Sequence, residues 1–221
     1  MNLKNAYWYF TSQLGDNFCD EVIQLGNSKQ EKIGVTGGAS DRVKKRKPGV
    51  NPNSVEKLLN KKELKSLKKQ RDSNVVWLND QWIYDELCPL IAMANQNAGW
   101  NFQWDLSETC QYTTYEVGQF YDWHMDGFSN PYKKEGKLFN KIRKLSVTLV
   151  LSDPSEYEGG MLEFYEPNVS PKQKPKIILE EERPHKGSVI VFPAHIYHRV
   201  TPVTKGVRKS LVVWNCGYPY K

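Results

Sequence analysis

A His-Met-Asp triplet at His124, Met125 and Asp126, a histidine far downstream at His198 and an arginine at Arg208 have the types and spacing for chemistry. Two imidazoles and one carboxylate make a three-ligand face for divalent iron that leaves coordination positions open. On extended chain, side chains two residues apart project to the same side, so His124 and Asp126 can reach one metal. The third ligand has to come from His185, His195 or His198, the other histidines of the chain. From Ala194 to Val200, alternation puts Ala194, Ile196, His198 and Val200 on an apolar face and His195, Tyr197 and Arg199 on the other. His198 is therefore the better ligand.

Arg208 stands in the strand candidate from Gly206 to Trp214, where alternation groups it with Ser210, Val212 and Trp214 and sends Lys209 to the opposite, solvent-facing side. A guanidinium offers paired donors that match a carboxylate, so Arg208 can hold an organic acid bound to the same metal. Each residue also has a plainer reading. A lone H-x-D triplet arises by chance, His198 alone could be a structural histidine, and Arg208 alone could be a surface residue beside Lys209. Only the set of four is specific.

The elements that must position this set are mostly short strands. Candidates run over about 109–117, 119–124, 143–151, 161–165, 175–179, 187–192, 196–200 and 207–214, separated by Gly, Pro, Asn and Asp. That texture indicates a mainly β fold with flanking helices: a sandwich, barrel or jelly roll. One helix is expected from Gly15 to Leu25. A longer one, capped by Asn79 or Asp80, should run to about Asn97 and bury Trp82, Ile83, Leu87, Leu90, Ile91 and Ala94. Both precede the β core and can pack on one sheet face. A strand is expected from Ser73 to Leu78, and the break at Gly34 to Gly38 opens a basic stretch in which Ser54 could cap a short helix.

With 221 residues, 39% hydrophobic and 12% aromatic, the chain suits one domain. No apolar run reaches a membrane span, and the start lacks a hydrophobic signal core, so a soluble cytoplasmic protein is expected. Cys19, Cys88, Cys110 and Cys216 form no CxxC pair and read as reduced small hydrophobes. The net charge of +6 concentrates between Arg42 and Arg71. Such a run is a solvated insertion or a site for an anionic partner, and it spaces no aromatics for stacking nucleic-acid bases.

Several runs resemble a known family: Tyr115 through Asp126, Arg143-Lys144-Leu145-Ser146, Glu158-Gly159-Gly160-Met161-Leu162, and His198 through Arg208. They are similar to the prolyl 4-hydroxylase-type iron(II)/2-oxoglutarate dioxygenases, most closely to the PKHD-type hydroxylases of bacteria and phages. The resemblance is dense over 105–216, looser over 74–100 and faint before that. Met161 departs from it, standing where family members carry an acidic residue.

The resemblance implies a double-stranded β-helix (jelly-roll) core over 105–216, supported by helices within 1–100 that carry the basic insertion at 42–71, all in one domain over 1–221. It implies Fe(II) at His124, Asp126 and His198, with 2-oxoglutarate on the iron and its distal carboxylate on Arg208. Tyr115 matches a position whose hydroxyl helps bind that carboxylate, and Thr148, Leu162, Val200 and Trp214 match the co-substrate pocket. O2 is the second co-substrate and ascorbate a reductant. The expected reaction hydroxylates a C–H bond, foremost of a prolyl residue in a protein or peptide, and releases succinate and CO2. The segment 30–72 and the loop from Gly127 to Asn140 could act as lids. A free amino acid or another small molecule is an alternative substrate, and a non-catalytic metal-binding jelly-roll module is a further alternative. A nucleic-acid dealkylase would be favoured by a second arginine shortly after Arg208, which this chain lacks.

Overall fold

The computed structural model describes residues 3–47, 55–127, 130–167, 177–179 and 184–220. In chain order the first elements are β1 (Trp8–Phe10), α1 (Asp16–Asn27), β2 (Lys32–Ile33), α2 (Gly37–Arg46), α3 (Lys61–Lys68), β3 (Arg71–Asp72), β4 (Asn74–Leu78) and α4 (Gln81–Asn97). There follow β5 (Leu106–Ser107), β6 (Cys110–Tyr115), β7 (Phe120–His124), β8 (Ile142–Val150), β9 (Tyr157–Gly159), β10 (Leu162–Tyr165) and β11 (Ile177–Leu179). The last are β12 (Val189–Pro193), β13 (His198–Val200), β14 (Val203–Gly206) and β15 (Arg208–Gly217).

An eight-stranded sheet runs β1-β12-β8-β15-β6-β4-β2, with β5 joining through β15, and a five-stranded sheet runs β11-β10-β13-β7-β3. β9 and β14 form a separate pair. Strand alternation gives the large sheet two chemically different faces. Cys110, Tyr112, Leu145, Val147, Leu149, Leu211 and Val213 are apolar and buried, and they share a core with Cys19 and Val22 of α1 and Ile83, Leu87, Ile91 and Ala94 of α4. The intervening residues Gln111, Thr113, Thr148, Arg208 and Ser210 line a cavity that the small sheet also lines. The helices thus cover one face, and the chemistry sits on the other.

The expected helix around 15–25 and the long helix to Asn97 are α1 and α4. Trp82 is half-buried, while the other residues named for the α4 stripe are buried. The amino-terminal hundred residues are not helical support alone, because β1, β2 and β4 extend the large sheet and β3 extends the small one.

The basic stretch also differs from expectation. The glycine break opens α2, whose first turn is capped by the Thr36 side chain accepting from the Ala39 amide. α3 is capped by Asn60, which exchanges hydrogen bonds with Glu63 in a capping box. Ser54 lies outside the described residues, as do parts of the two candidate lids and of the strand expected at 175–179. All four cysteines are free. Among the described residues no helix is long and apolar enough to cross a membrane.

Candidate active site

His124 ends β7 and His198 begins β13, and the two are cross-strand partners in the antiparallel pair. Pairing puts their rings 4.1 Å apart between centroids. Each Nδ1–H donates to the main-chain carbonyl two residues earlier, Asp122 at 2.8 Å and Ile196 at 3.0 Å. Those bonds select one tautomer and leave both Nε2 lone pairs free. Asp126 lies just beyond the strand, where the Gly127 amide donates to the Ala194 carbonyl at 2.6 Å. Its Oδ1 is 3.7 Å from His124 Nε2 and its Oδ2 is 3.5 Å from His198 Nε2. One ligand atom from each residue lies within 4.8 Å of the other two, and this is the only such cluster among the described residues.

Protonation favours metal binding. Burial and the neighbouring His198 push the His124 pKa down to about 3, so its ring is a neutral ligand. Burial alone would raise the Asp126 carboxyl, but His198, His124, Arg143 and the Ser146 hydroxyl outweigh it and hold the pKa down at about 2. The Ser146 hydroxyl donates to Asp126 Oδ2 at 2.8 Å and orients the carboxylate. Tyr121 stacks on His124 with centroids 3.5 Å apart, and Phe192 meets His198 edge-on at 4.7 Å. His195 lies elsewhere, exposed and near Phe102 and Tyr220.

Arg208 is 3% exposed and has no acidic partner among the described residues; its Nη1–H donates to Ser210 at 3.1 Å. It lines the same cavity as the two histidines and Asp126. Tyr115, Thr148, Leu162, Val200 and Trp214 line that cavity as well. Tyr115 is the register partner of Arg208, and its ring centroid is 5.7 Å from the guanidinium. Gly160 makes room for the arginine: it sits at φ +61, and a Cβ there would come 2.8 Å from Arg208 Cδ. Lys209 is half-buried rather than fully solvated.

Residues 110–216 match the 2OG-Fe(II) oxygenase superfamily. They form a 2OG-Fe(II) oxygenase domain. A PKHD-type hydroxylase of Synechococcus sp. (strain CC9902) is 40% identical over 99 residues, covering 45% of this chain and 37% of that protein. Another, from Pseudoalteromonas atlantica, is 32% identical over 104 residues, covering 47% and 41%. The chain thus spans about two-fifths of the length of these two relatives.

Among solved structures, the fold is similar to the viral collagen prolyl hydroxylase of Paramecium Bursaria Chlorella virus-1 in its 2OG complex. That likeness has a TM-score of 0.61 and 19% identity over 97% of both chains. It is also similar to a Trichoplax adhaerens prolyl hydroxylase in complex with a hypoxia inducible factor peptide fragment, with a TM-score of 0.62 and 18% identity over 96% of this chain and 84% of that one.

The oxygenase domain's own residues fit the superfamily's groups. The two free Nε2 atoms and a carboxylate form a donor set suited to Fe(II). A buried, acid-free Arg208 suits a carboxylate, and Nε1 of the cavity-lining Trp214 is buried without a hydrogen-bond partner among the described residues, so a bound acceptor would satisfy it.

The sequence reading missed Arg71, Gln111, Tyr121 and Phe192, which also line the cavity. Arg71 is a correction: it closes the basic stretch expected to be solvated, yet it is buried. Tyr121 and Phe192 are apolar strand residues whose alternation could have placed them. Arg71 carried no such signal among its lysine neighbours.

Proposed function

We propose that this protein is an Fe(II)- and 2-oxoglutarate-dependent dioxygenase that hydroxylates a C–H bond, foremost that of a prolyl residue in a protein or peptide. The carrying observation is that His124, Asp126, His198 and the buried, acid-free Arg208 line one cavity. His124, Asp126 and His198 hold the iron, and Arg208 with Tyr115 takes the distal carboxylate of 2-oxoglutarate. Thr148, Leu162, Val200 and Trp214 wall the co-substrate. Bound there, Fe(II) supplies the activation of O2. One oxygen atom enters the substrate as hydroxyl, and the other enters succinate as 2-oxoglutarate loses CO2.

The protein's share is placement. Backbone carbonyls orient both rings, Ser146 orients Asp126, and Phe192 and Tyr121 keep water from the ligand face. The prolyl reading draws on the two prolyl hydroxylases of like fold, one of them holding a peptide. Ascorbate serves as an optional reductant. The four free thiols suit a reducing compartment, and we place the protein in the cytoplasm.

The test incubates the protein with Fe(II), 2-oxoglutarate, O2 and libraries of prolyl peptides and free amino acids. Succinate release together with the gain of one oxygen atom in a peptide, both lost in His198→Ala, is the expected result. Tight metal binding with no succinate from any library would instead mark a non-catalytic module. Oxygen gain confined to free amino acids would move the substrate to that class.

A further inference from the structure

Arg71 follows the exposed cations Lys68 and Lys69, yet it is only 4% exposed and lines the cavity of His124 and Arg208. Its Nε–H donates to Ser73 Oγ at 2.8 Å, and an Nη2–H donates to Gln111 Oε1 at 2.7 Å. Its guanidinium lies 4.6 Å from the centroid of Tyr121, the ring stacked on His124. Every one of these partners is neutral. No carboxylate among the described residues pairs with Arg71, and three of its five donors remain.

A buried cation without a counter-charge is costly, and a cation–π contact offsets only part of that cost. The fold nonetheless makes a dedicated seat for it. Gly34 packs against the Arg71 and Ser73 side chains, and a Cβ there would come 2.6 Å from Arg71 Nε. β3 is the edge strand of the small sheet and pairs Arg71 with Tyr121, while Gln111 belongs to β6 of the large sheet. The guanidinium therefore bridges the two sheets on the His124 side of the cavity.

Among the described residues Asp126 is the one acid lining a cavity that holds two arginines, and its carboxylate already faces both imidazoles. With 2-oxoglutarate bringing a distal carboxylate to Arg208, Arg71 is still without an anion. We propose that Arg71 determines substrate choice by binding a carboxylate carried by the molecule to be hydroxylated. This rests on the dioxygenase reading above. The carboxylate is either the α-carboxylate of a free amino acid or an acidic side chain next to the target residue in a peptide.

The test measures binding by calorimetry to the full chain loaded with Fe(II) and 2-oxoglutarate without oxygen, where nothing turns over. The probes are L-proline against L-prolinamide, and a blocked peptide containing Glu-Pro against the same peptide containing Gln-Pro. The wild type should bind the acid of one pair at least about tenfold more tightly than its amide counterpart, and which pair responds identifies the source. Arg71→Gln should reduce that preference to within about twofold and leave 2-oxoglutarate affinity within about twofold.

Gln111→Glu is the second variant, because it sets an internal carboxylate against Arg71 without removing the cation. It should abolish the same preference even if Arg71→Gln fails to fold. Three results overturn the proposal: a wild type that favours neither acid, an Arg71→Gln protein that weakens acid and amide probes alike, or one that weakens 2-oxoglutarate instead. Failure of the wild type to bind 2-oxoglutarate in the same cell sinks the dioxygenase reading separately.

Discussion

Arg208 and the iron-ligand residues share the cavity through opposite electrostatic devices. His124 is kept neutral and Asp126 charged, so the ligand face is ready for a cation. Arg208 keeps a buried positive charge with Ser210, Tyr115 and no acid against it among the described residues, so it is ready for an anion. A charge-assisted bond of this kind contributes about 1.5–3 kcal/mol. Arg208→Ala should therefore raise the KM for 2-oxoglutarate roughly 10- to 100-fold, read from succinate release across a co-substrate titration. A normal KM in that variant would remove Arg208 from the co-substrate site. That His124, Asp126, His198 and Arg208 belong together was legible because their chemistry is unusual and their spacing restrictive, and the four line one cavity. Choosing His198 over His195 needed only strand parity.

At the scale of elements, alternation placed more than boundaries did. Arg208, Ser210, Val212 and Trp214 share the cavity face as their period of two predicts. The parity argument at His198 assumed a strand from 196, yet β13 begins at His198 itself, and Asp126 lies past the end of β7. Both ligands still converge because the Gly127 amide ties that bend to the turn before β13.

The turn at Gly160 controls the other end of the site. Gly160→Ala would add about 1–2 kcal/mol of left-handed backbone strain and press on Arg208 Cδ. The melting temperature should fall by roughly 2–8 °C, and the KM for 2-oxoglutarate should rise while KM for the hydroxylated substrate holds. An unchanged melting curve would contradict the strain argument. α2 went unread because its glycines mimic a loop; the Thr36 cap and buried Ala39 and Val43 outweigh their low helix propensity.

Across the whole molecule, a half-buried ion pair ties distant segments to the site. Arg143 on β8 donates to both oxygens of Glu108, between β5 and β6, at 2.7 Å each. Tyr132 from the β7–β8 connection and Cys216 on β15 donate to the same carboxylate. Burial would raise the Glu108 carboxyl, but Arg143 and these donors prevail and hold it below the ordinary value. A depressed folded pKa contributes stability above the unfolded value, about 4.3, and that contribution is lost as pH falls through the folded pKa. Melting temperature should thus drop below about pH 4.5 in the wild type and fall less steeply in Glu108→Gln. The variant should also lose about 1.5–3 kcal/mol at neutral pH, since it gives up the charge-assisted bonds between Arg143 and the carboxylate.

Iron should act on the whole fold too. At a hundred times its Kd, Fe(II) adds about 2.7 kcal/mol, a rise of roughly 5–10 °C without oxygen that a chelator or His124→Ala removes. No shift on adding iron would contradict a folded-state metal site.

What the amino-acid sequence determined by itself was local: the ligand chemistry, the parity of each strand and the apolar stripes of α1 and α4. These depend on residue type and on periods of two and 3.6, which neighbours in the chain set. The tertiary structure alone decided which charges are buried. Arg71 belongs to a lysine-rich stretch, and only Gly34 against its side chain, β7 beside its strand and Gln111, forty positions away, take it out of water. Burial is a property of what packs over a residue, and no local pattern records it.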